Sequence, residues 1–166
     1  MADCAHNYFT YFDELRENPW IGLSLPHEKP TMGSEAKWFA DLYAKTLGGD
    51  AVAAVAVSGT RVVGLCTVER RVSPAEGHVG VLGVAILKEF RGIGVGRRLL
   101  THSLEKCRGK FELVILEVFS NNTRARKLYE SLGFRLAGCV PNGLKRGSEY
   151  TDKLLMYIEL KGLDRG

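Results

Sequence analysis

The hydrophobic patterns of this chain predict a mixed α/β fold, with helices packed on a partly antiparallel sheet. In order, the patterns run helix, helix, strand, strand, strand, helix, strand, helix, strand, strand. The 166 residues are 45% apolar and 25% charged, a composition typical of one globular domain with a full core. We therefore expect residues 1–166 to form a single domain.

Two helix-like regions open the chain. A segment with two prolines and a glycine, SLPHEKPTMGSEA, separates them. Ser34 and Glu35 are typical of the capped start of the second helix, and Gly48 and Gly49 of its end. The apolar residues of this helix recur at near-helical spacing, namely Trp38, Phe39, Leu42 and Leu47.

A hairpin and a series of alternating strands and helices follow. The runs AVAAVAVS and RVVGLCTVERRV flank Gly59 and Thr60, which predicts an antiparallel pair. Further strands are predicted at 78–87, 111–120, 134–140 and 152–160, and helices at 97–107 and 121–133. The buried stripe of the first of these helices is Leu99, Leu100, Leu104 and Cys107, and that of the second is Ala125, Leu128, Tyr129 and Leu132.

Composition and spacing argue against several classes of protein. No apolar stretch approaches the roughly 18 to 20 residues that span a bilayer, and the N-terminus lacks a basic start before an apolar core, so we expect a soluble cytoplasmic protein. The cysteines show no C-x-x-C spacing, which favours neither a zinc site nor a disulfide framework. A net charge of +4 without a long basic run does not favour nucleic-acid binding.

The segment KEFRGIGVGRRLL places three glycines in five positions directly before a predicted helix. A strand that ends in such a turn presents unpaired N–H groups where the helix dipole favours negative charge. Gly92, Gly94 and Gly96 would let the backbone curl inward, while the flanking arginines add positive charge. The segment therefore predicts a phosphate site, the alternative being a tight turn whose glycines only permit close packing.

Two common phosphate-binding loops do not match this segment. The dinucleotide fingerprint requires a third glycine where Arg97 or Leu99 stands, and the P-loop requires a Gly-Lys-Ser/Thr ending that the chain lacks. A different family does match. The segment VAILKEFRGIGVGRRLL resembles the acetyl-CoA-binding signature of the GCN5-related N-acetyltransferase (GNAT) superfamily, Arg/Gln-x-x-Gly-x-Gly/Ala, with Arg91, Gly94 and Gly96 at its fixed positions.

The resemblance continues along the chain. LEVFSNNTRARKLYESLGF is similar to the second family segment through Asn122, Ala125, Leu128, Tyr129, Gly133 and Phe134. GSEYTDKLLM is similar to the closing Gly-x-Tyr-x-Asp strand, with one extra residue between Gly147 and Tyr150. Together these segments cover a cofactor-binding core of about residues 50–160.

The resemblance implies a six- to seven-stranded, mostly antiparallel sheet with helices on both faces and a splayed parallel strand pair at the cofactor site. It implies acetyl-CoA as co-substrate, because the glycine segment would hold the pyrophosphate and a strand edge would pair with the pantetheine amides. Gly83 either forms a bulge that helps splay the strands or only relieves packing. The cofactor-binding residues so implied are Val84, Ala85, Ile86, Arg91, Gly92, Ile93, Gly94, Val95, Gly96, Arg97 and Asn122.

The resemblance also assigns catalytic roles. Glu117 would be the general base and Tyr129, twelve residues further on, the general acid. Burying Glu117 without a partner in its apolar strand would cost several kcal/mol, and a role as base would explain such a cost. The alternative is that Glu117 faces solvent at a strand end. The alternative for Tyr129 is that it is a tyrosine of the core with a purely structural role.

Several polar residues are candidates for the acceptor side. His78, Tyr150 and Asp152 are predicted to bind substrate, although each is compatible with a structural role. Three basic residues either approach the adenosine phosphate or belong to a solvated helix face: Arg124, Arg126 and Lys127.

The resulting hypothesis is an N-acetyltransferase that moves acetyl to a primary amine by direct attack in a ternary complex. The amine belongs to a protein N-terminus, a lysine or a small molecule, and the partners are acetyl-CoA and that acceptor, without nucleic acid or membrane. A homodimer is left open. The alternative is a catalytically silent acyl-CoA-binding or sensing domain.

Overall fold

The computed structural model describes residues 31–146 and 148–160, which contain three α-helices and six strands. The first predicted helix lies outside these residues. Among them, no helix has the length and the apolar character that crossing a membrane requires. The elements are α1 (Met32–Gly48), β1 (Ala51–Ser58), β2 (Arg61–Arg70), β3 (Val79–Ile86), α2 (Val95–Cys107), β4 (Leu113–Phe119), α3 (Thr123–Ser131), β5 (Arg135–Arg146) and β6 (Glu149–Glu159).

The six strands form one sheet in the order β1-β2-β3-β4-β6-β5. Every neighbouring pair is antiparallel except β3 and β4, which are parallel. This mixed, mostly antiparallel sheet with one parallel pair confirms the predicted fold class. The parallel pair is short, because its ladder runs only from Val79 opposite Leu113 to Val81 opposite Ile115.

Helices cover both faces of the sheet, as predicted. α2 and α3 pack on one face, where Leu100, Leu116 and Met156 belong to one buried cluster. α1 lies on the other face, where Trp38 packs against a second cluster that contains Val63. The predicted stripe of α2 is buried in full, and Ser103 is buried with it.

α1 begins earlier than its sequence pattern indicated. Thr31 is the N-cap, since its Oγ1 accepts a hydrogen bond from the N–H of Ser34 at 3.1 Å. The predicted cap residue therefore lies inside the first turn, because a good capping side chain precedes it by three positions. The end of α1 is where the glycines predicted it, with Gly49 at a φ of 84°. Leu47, however, is 72% exposed and does not belong to the buried face.

Two strands differ from their predicted forms. Gly83 pairs with Thr67 in an unbroken ladder between β2 and β3, so the bulge considered there is absent from that ladder. β5 continues past its predicted end at Val140 to Arg146, because a register shift before Leu144 accommodates Pro141.

Replacing Leu100 by alanine tests where the core lies. Leu100 is fully buried beneath the sheet, so Leu100→Ala should lower the free energy of unfolding by about 2–5 kcal/mol in urea titration. The matched control is Leu47→Ala, which removes an exposed leucine from another helix and should change stability by less than about 0.5 kcal/mol. Equal effects of the two substitutions would contradict this packing.

Candidate active site

A loop rich in glycine, residues 91–97 and hereafter the glycine loop, carries the chain from β3 into α2. Gly92 and Gly94 have φ angles of 85° and 90°, a left-handed backbone that favours glycine. Gly94 is the N-cap of α2, and no side chain caps that end. Within the described ranges, the backbone N–H groups of residues 92–97 donate to no carbonyl. Unpaired donors at the positive end of a helix favour an anion.

Positive charge accumulates around the glycine loop. Arg124 reaches across from α3, and its guanidinium lies against Gly92 in the space that a Cβ there would occupy. Arg98 and Lys88 lie beside the loop in sequence, and neither they nor Arg124 form an ion pair with a described carboxylate. These cations would strengthen the attraction for a phosphate group.

The other two basic residues of α3 point elsewhere. Arg126 donates to the carbonyl oxygen of Ser120 at 3.2 Å and lies 3.9 Å from the carboxylate of Glu130. Lys127 is exposed. Of the three basic side chains on α3, the structure therefore brings Arg124 to the glycine loop.

Two side-chain contacts hold the glycine loop in shape. The Nε–H of Arg91 donates to the carbonyl oxygen of Ile86 at 2.8 Å, which ties the start of the loop to the end of β3. Arg97 donates to the hydroxyl of Ser131 at 2.8 Å, which ties the first turn of α2 to α3. A Cβ at Gly96 would lie 3.4 Å from Leu128, in van der Waals contact, so α2 and α3 lie close together there.

A gap opens between β3 and β4 next to the glycine loop. The ladder between these strands stops at Val81 and Ile115, although β3 stays paired with β2 as far as Ile86 and β4 with β6 as far as Phe119. The strands therefore diverge over residues 82–86 and 116–119. The predicted cofactor-binding residues of β3, Val84, Ala85 and Ile86, all lie along this gap.

Glu117 lies on β4 where the gap has opened, and its side chain is 41% exposed rather than buried in the core. Alternation along the strand directs it away from Leu116 and Val118, which belong to the buried cluster. Its Oε1 is 3.0 Å from Nζ of Lys153 on the neighbouring strand β6. The Glu117 carboxylate is therefore partly exposed, and Lys153 provides it with a partner.

Tyr129 approaches β4 from the opposite face. Its side chain is only 8% exposed and belongs to the buried cluster that contains Leu116 and Val118. The ring packs at 5.8 Å from that of Phe134, and the hydroxyl makes no hydrogen bond with a described residue. Burial, with a smaller contribution from the charge of Cys66, raises the pKa of Tyr129 well above its ordinary value, so the hydroxyl remains protonated.

Asn122 is the N-cap of α3, and its Oδ1 accepts a hydrogen bond from the N–H of Ala125 at 3.2 Å. The side-chain amide nitrogen makes no hydrogen bond with the described part of the chain, so it remains available as a donor. Because Asn122 follows β4 directly, that donor lies at the edge of the sheet where the gap opens.

The hairpin of β5 and β6 extends beyond the end of β4. Asp152 holds it there, since its carbonyl oxygen accepts from the N–H of Ser120 and its carboxylate accepts from the N–H of Asn142, both at 2.9 Å. Tyr150 is exposed further out, with Nζ of Lys145 at 5.2 Å from its ring centroid. Two of the three predicted substrate residues, Tyr150 and Asp152, therefore lie past the end of β4, with the Asp152 carboxylate engaged in a bulge.

His78 does not join the other predicted site residues. It precedes β3 at the end of that strand opposite to the glycine loop, and its carbonyl oxygen accepts hydrogen bonds from Glu112 and Leu113. The closed part of the parallel pair separates it from the gap.

Lys153 contacts the candidate residue Glu117, and the sequence did not indicate this contact. The alternation in DKLLMYIEL predicts that Lys153 points to the face opposite to that of the buried Leu154 and Met156. That pattern alone does not reveal how β6 is aligned with β4. In the observed register Lys153 lies opposite Phe119, two residues after Glu117 on the same face of β4, and the Lys153 side chain therefore reaches Glu117.

Residues 12–134 match the model of a protein family described as the acetyltransferase (GNAT) family. Since this match covers more than half of the chain, the chain belongs to the GNAT family of acetyltransferases, and the resemblance seen in the sequence is confirmed. The chain is 40% identical to N-alpha-acetyltransferase RimI of Mycobacterium tuberculosis over 83 residues, which are 49% of this chain and 50% of that protein. It is 29% identical to L-amino acid N-acetyltransferase AaaT of Escherichia coli over 97 residues, 57% of this chain and 60% of that protein.

The matched regions span 21% to 60% of the lengths of the curated relatives. Solved structures are similar over more of their length. A ribosomal-protein-alanine N-acetyltransferase from Brucella melitensis has a TM-score of 0.82 at 21% identity and covers 96% of each chain. The yncA protein of Salmonella typhimurium, solved with its cofactor acetyl-CoA, has a TM-score of 0.80 at 20% identity over 96% of this chain and 90% of that one. At such identities the likeness shows the fold.

The buried thiols near Tyr129 predict a loss of stability in alkaline solution. Burial, offset in part by a hydrogen bond with Ser103, raises the pKa of Cys66 from 9.0 to about 11. Burial and the charge of Cys66 raise the pKa of Cys107 to about 12. Above about pH 9 the unfolded state therefore binds fewer protons than the folded state, and stability falls as the pH rises, by up to about 1.4 kcal/mol per pH unit for each thiol.

Urea unfolding at about pH 8 and about pH 10 measures this dependence. The double variant Cys66→Ala/Cys107→Ala should lose less stability between the two pH values than the parent chain does, whatever its starting stability. If the free energy of unfolding changed equally with pH in the two proteins, these thiols would ionise as readily in the folded state as in the unfolded state.

Proposed function

We propose that this protein is an acetyl-CoA-dependent N-acetyltransferase that transfers acetyl from the thioester to a primary amine in a ternary complex. The observation that carries the proposal is the conjunction of the glycine loop, with its unpaired N–H groups, and the gap between β3 and β4. Coenzyme A needs a cradle for its pyrophosphate and a strand edge for its pantetheine amides, and these two features fit those needs. The acetyl-CoA complex of the yncA protein supports the same co-substrate.

The residues around the gap suit the chemistry of amide formation. The N–H groups of residues 92–97, with Arg124 and Arg98, would bind the phosphates and fix the position of the thioester. Glu117 would take a proton from the attacking ammonium, directly or through water. Tyr129 would donate its proton to the departing thiolate, a role that suits a hydroxyl whose raised pKa keeps it protonated. The two groups would act from opposite faces of β4.

An α-amino group is the acceptor to test first. Deprotonating an α-amine of ordinary pKa at pH 7 costs about 1 kcal/mol, whereas a lysine ammonium costs about 4–5 kcal/mol. One relative is named an N-alpha-acetyltransferase and another an L-amino acid N-acetyltransferase. A release assay for free thiol should therefore compare N-terminal peptides and amino acids with lysine peptides, polyamines and aminoglycosides.

Substitution of Gly94 tests the phosphate cradle. Gly94→Asp places a carboxylate at the N-cap of α2, where it would occupy the unpaired donors and repel a diphosphate. We expect the affinity for acetyl-CoA, measured by calorimetry, to fall by about 10- to 100-fold.

Gly109→Asp is the matched control. Gly109 also has a positive φ, 79°, and like Gly94 it has nothing within 4 Å of an added Cβ, but it lies past the other end of α2. It should bear the same backbone strain and leave acetyl-CoA affinity unchanged. Unchanged affinity in Gly94→Asp would refute the cradle.

Substitution of the proposed acid and base tests the chemistry. Glu117→Gln and Tyr129→Phe should each lower kcat by about 10²- to 10⁴-fold while acetyl-CoA affinity stays nearly constant. The controls are Glu105→Gln and Tyr43→Phe, which change exposed residues outside the gap. Acetyl-CoA binding without thiol release on any amine would favour instead a silent acyl-CoA-binding domain.

A further inference from the structure

Lys153 presents a primary amine to the residue proposed as general base. Its Nζ lies 3.0 Å from Oε1 of Glu117, and the two side chains occupy the same face of neighbouring strands. In amine acetylation the base receives the ammonium group of the acceptor. The chain therefore holds an ammonium of its own where an acceptor ammonium would have to be deprotonated.

Packing of the hairpin covers the base of the Lys153 side chain. Gly143 of β5 lies over the base of this side chain, and a Cβ at Gly143 would come within 2.9 Å of Lys153 Cβ. Lys153 is only 27% exposed, whereas Lys45, which pairs with Glu69 at 2.7 Å on another part of the surface, is 52% exposed. The Lys153 side chain is thus more enclosed than a lysine in another ion pair of the same chain.

We propose that Lys153 Nζ is an intramolecular acetyl acceptor, so that the protein acetylates itself at this position. The inference rests on the proposed function, since it requires bound acetyl-CoA and Glu117 as base. Glu117 takes a proton from the Lys153 ammonium, and the neutral nitrogen attacks the thioester carbonyl carbon. The C–N bond forms, the C–S bond breaks, and the thiolate leaves with a proton as free coenzyme A. The net products are acetyl-lysine, the thiol and one proton.

Intramolecular presentation offsets the cost of deprotonating a lysine. An ammonium fixed beside its base needs no encounter in solution, and well-oriented intramolecular reactions reach effective concentrations far above those of free amines. The flexible four-carbon stem lets Nζ move from Glu117 toward the gap. Acetylation removes the positive charge, so acetyl-Lys153 can no longer form the ion pair with Glu117.

The test incubates the purified full chain with acetyl-CoA and no added amine, followed by intact mass and peptide mapping over time. We expect one acetyl group per chain at Lys153, formed at least about 10²-fold faster than at Lys45, which reports uncatalysed modification of an exposed lysine. The first-order rate constant should not depend on protein concentration. A rate constant that rises with concentration, or equal modification of Lys45 and Lys153, would overturn the proposal.

Two variants sharpen the result. Lys153→Arg keeps the positive charge beside Glu117, but the intact mass of this variant should no longer increase by one acetyl group. Glu117→Gln should slow acetylation of Lys153 by about 10²-fold or more and leave that of Lys45 unchanged. Normal acetylation of Lys153 in Glu117→Gln would mean that Glu117 is not its base and would overturn the mechanism.

Failure of this inference is distinguishable from failure of the proposed function. A chain that releases thiol with external amines while Lys153 remains unmodified refutes self-acetylation and leaves the transferase assignment intact. If Gly94→Asp leaves the acetyl-CoA affinity unchanged, and the chain releases no thiol from acetyl-CoA whichever amine is added, the proposed function itself is refuted.

Discussion

The early end of the ladder between β3 and β4 is the constraint on which the architecture of the site depends. These two strands are the parallel pair of the sheet, and they remain together for only three residue pairs. Their other neighbours, β2 and β6, keep them in the sheet on either side of the gap. The gap therefore opens inside the sheet, beside the glycine loop, instead of at one of its edges.

The two faces of β4 give the proposed acid and base contrasting surroundings. Glu117 lies on the more accessible face, where Lys153 compensates its charge without full desolvation. Tyr129 lies in the buried cluster, where desolvation favours the neutral hydroxyl. β4 thus lies between a group on its own exposed face that is suited to accept a proton and a group on α3, packed against its buried face, that is suited to donate one.

Local patterns predicted the parts of the fold that local forces determine. The buried stripe of α2 follows from apolar spacing, and the left-handed turns at Gly49 and Gly94 follow from the conformational freedom of glycine. Features that depend on register were not predicted. The pairing of Lys153 with Glu117 and the regular ladder at Gly83 require knowledge of which residues of two distant segments lie opposite each other. Thr31 displaced the predicted cap because two suitable capping residues lie three positions apart.

The close approach of α2 and α3 at Gly96 links two parts of the site that are remote in sequence. Leu128 fits against Gly96, and it directly precedes Tyr129 on the same helix. A methyl group at Gly96 would make ordinary contact with Leu128, whereas a longer side chain there would push the two helices apart. It would shift the donors of the glycine loop and the Tyr129 hydroxyl together, and both ends of an extended ligand would lose their alignment at once.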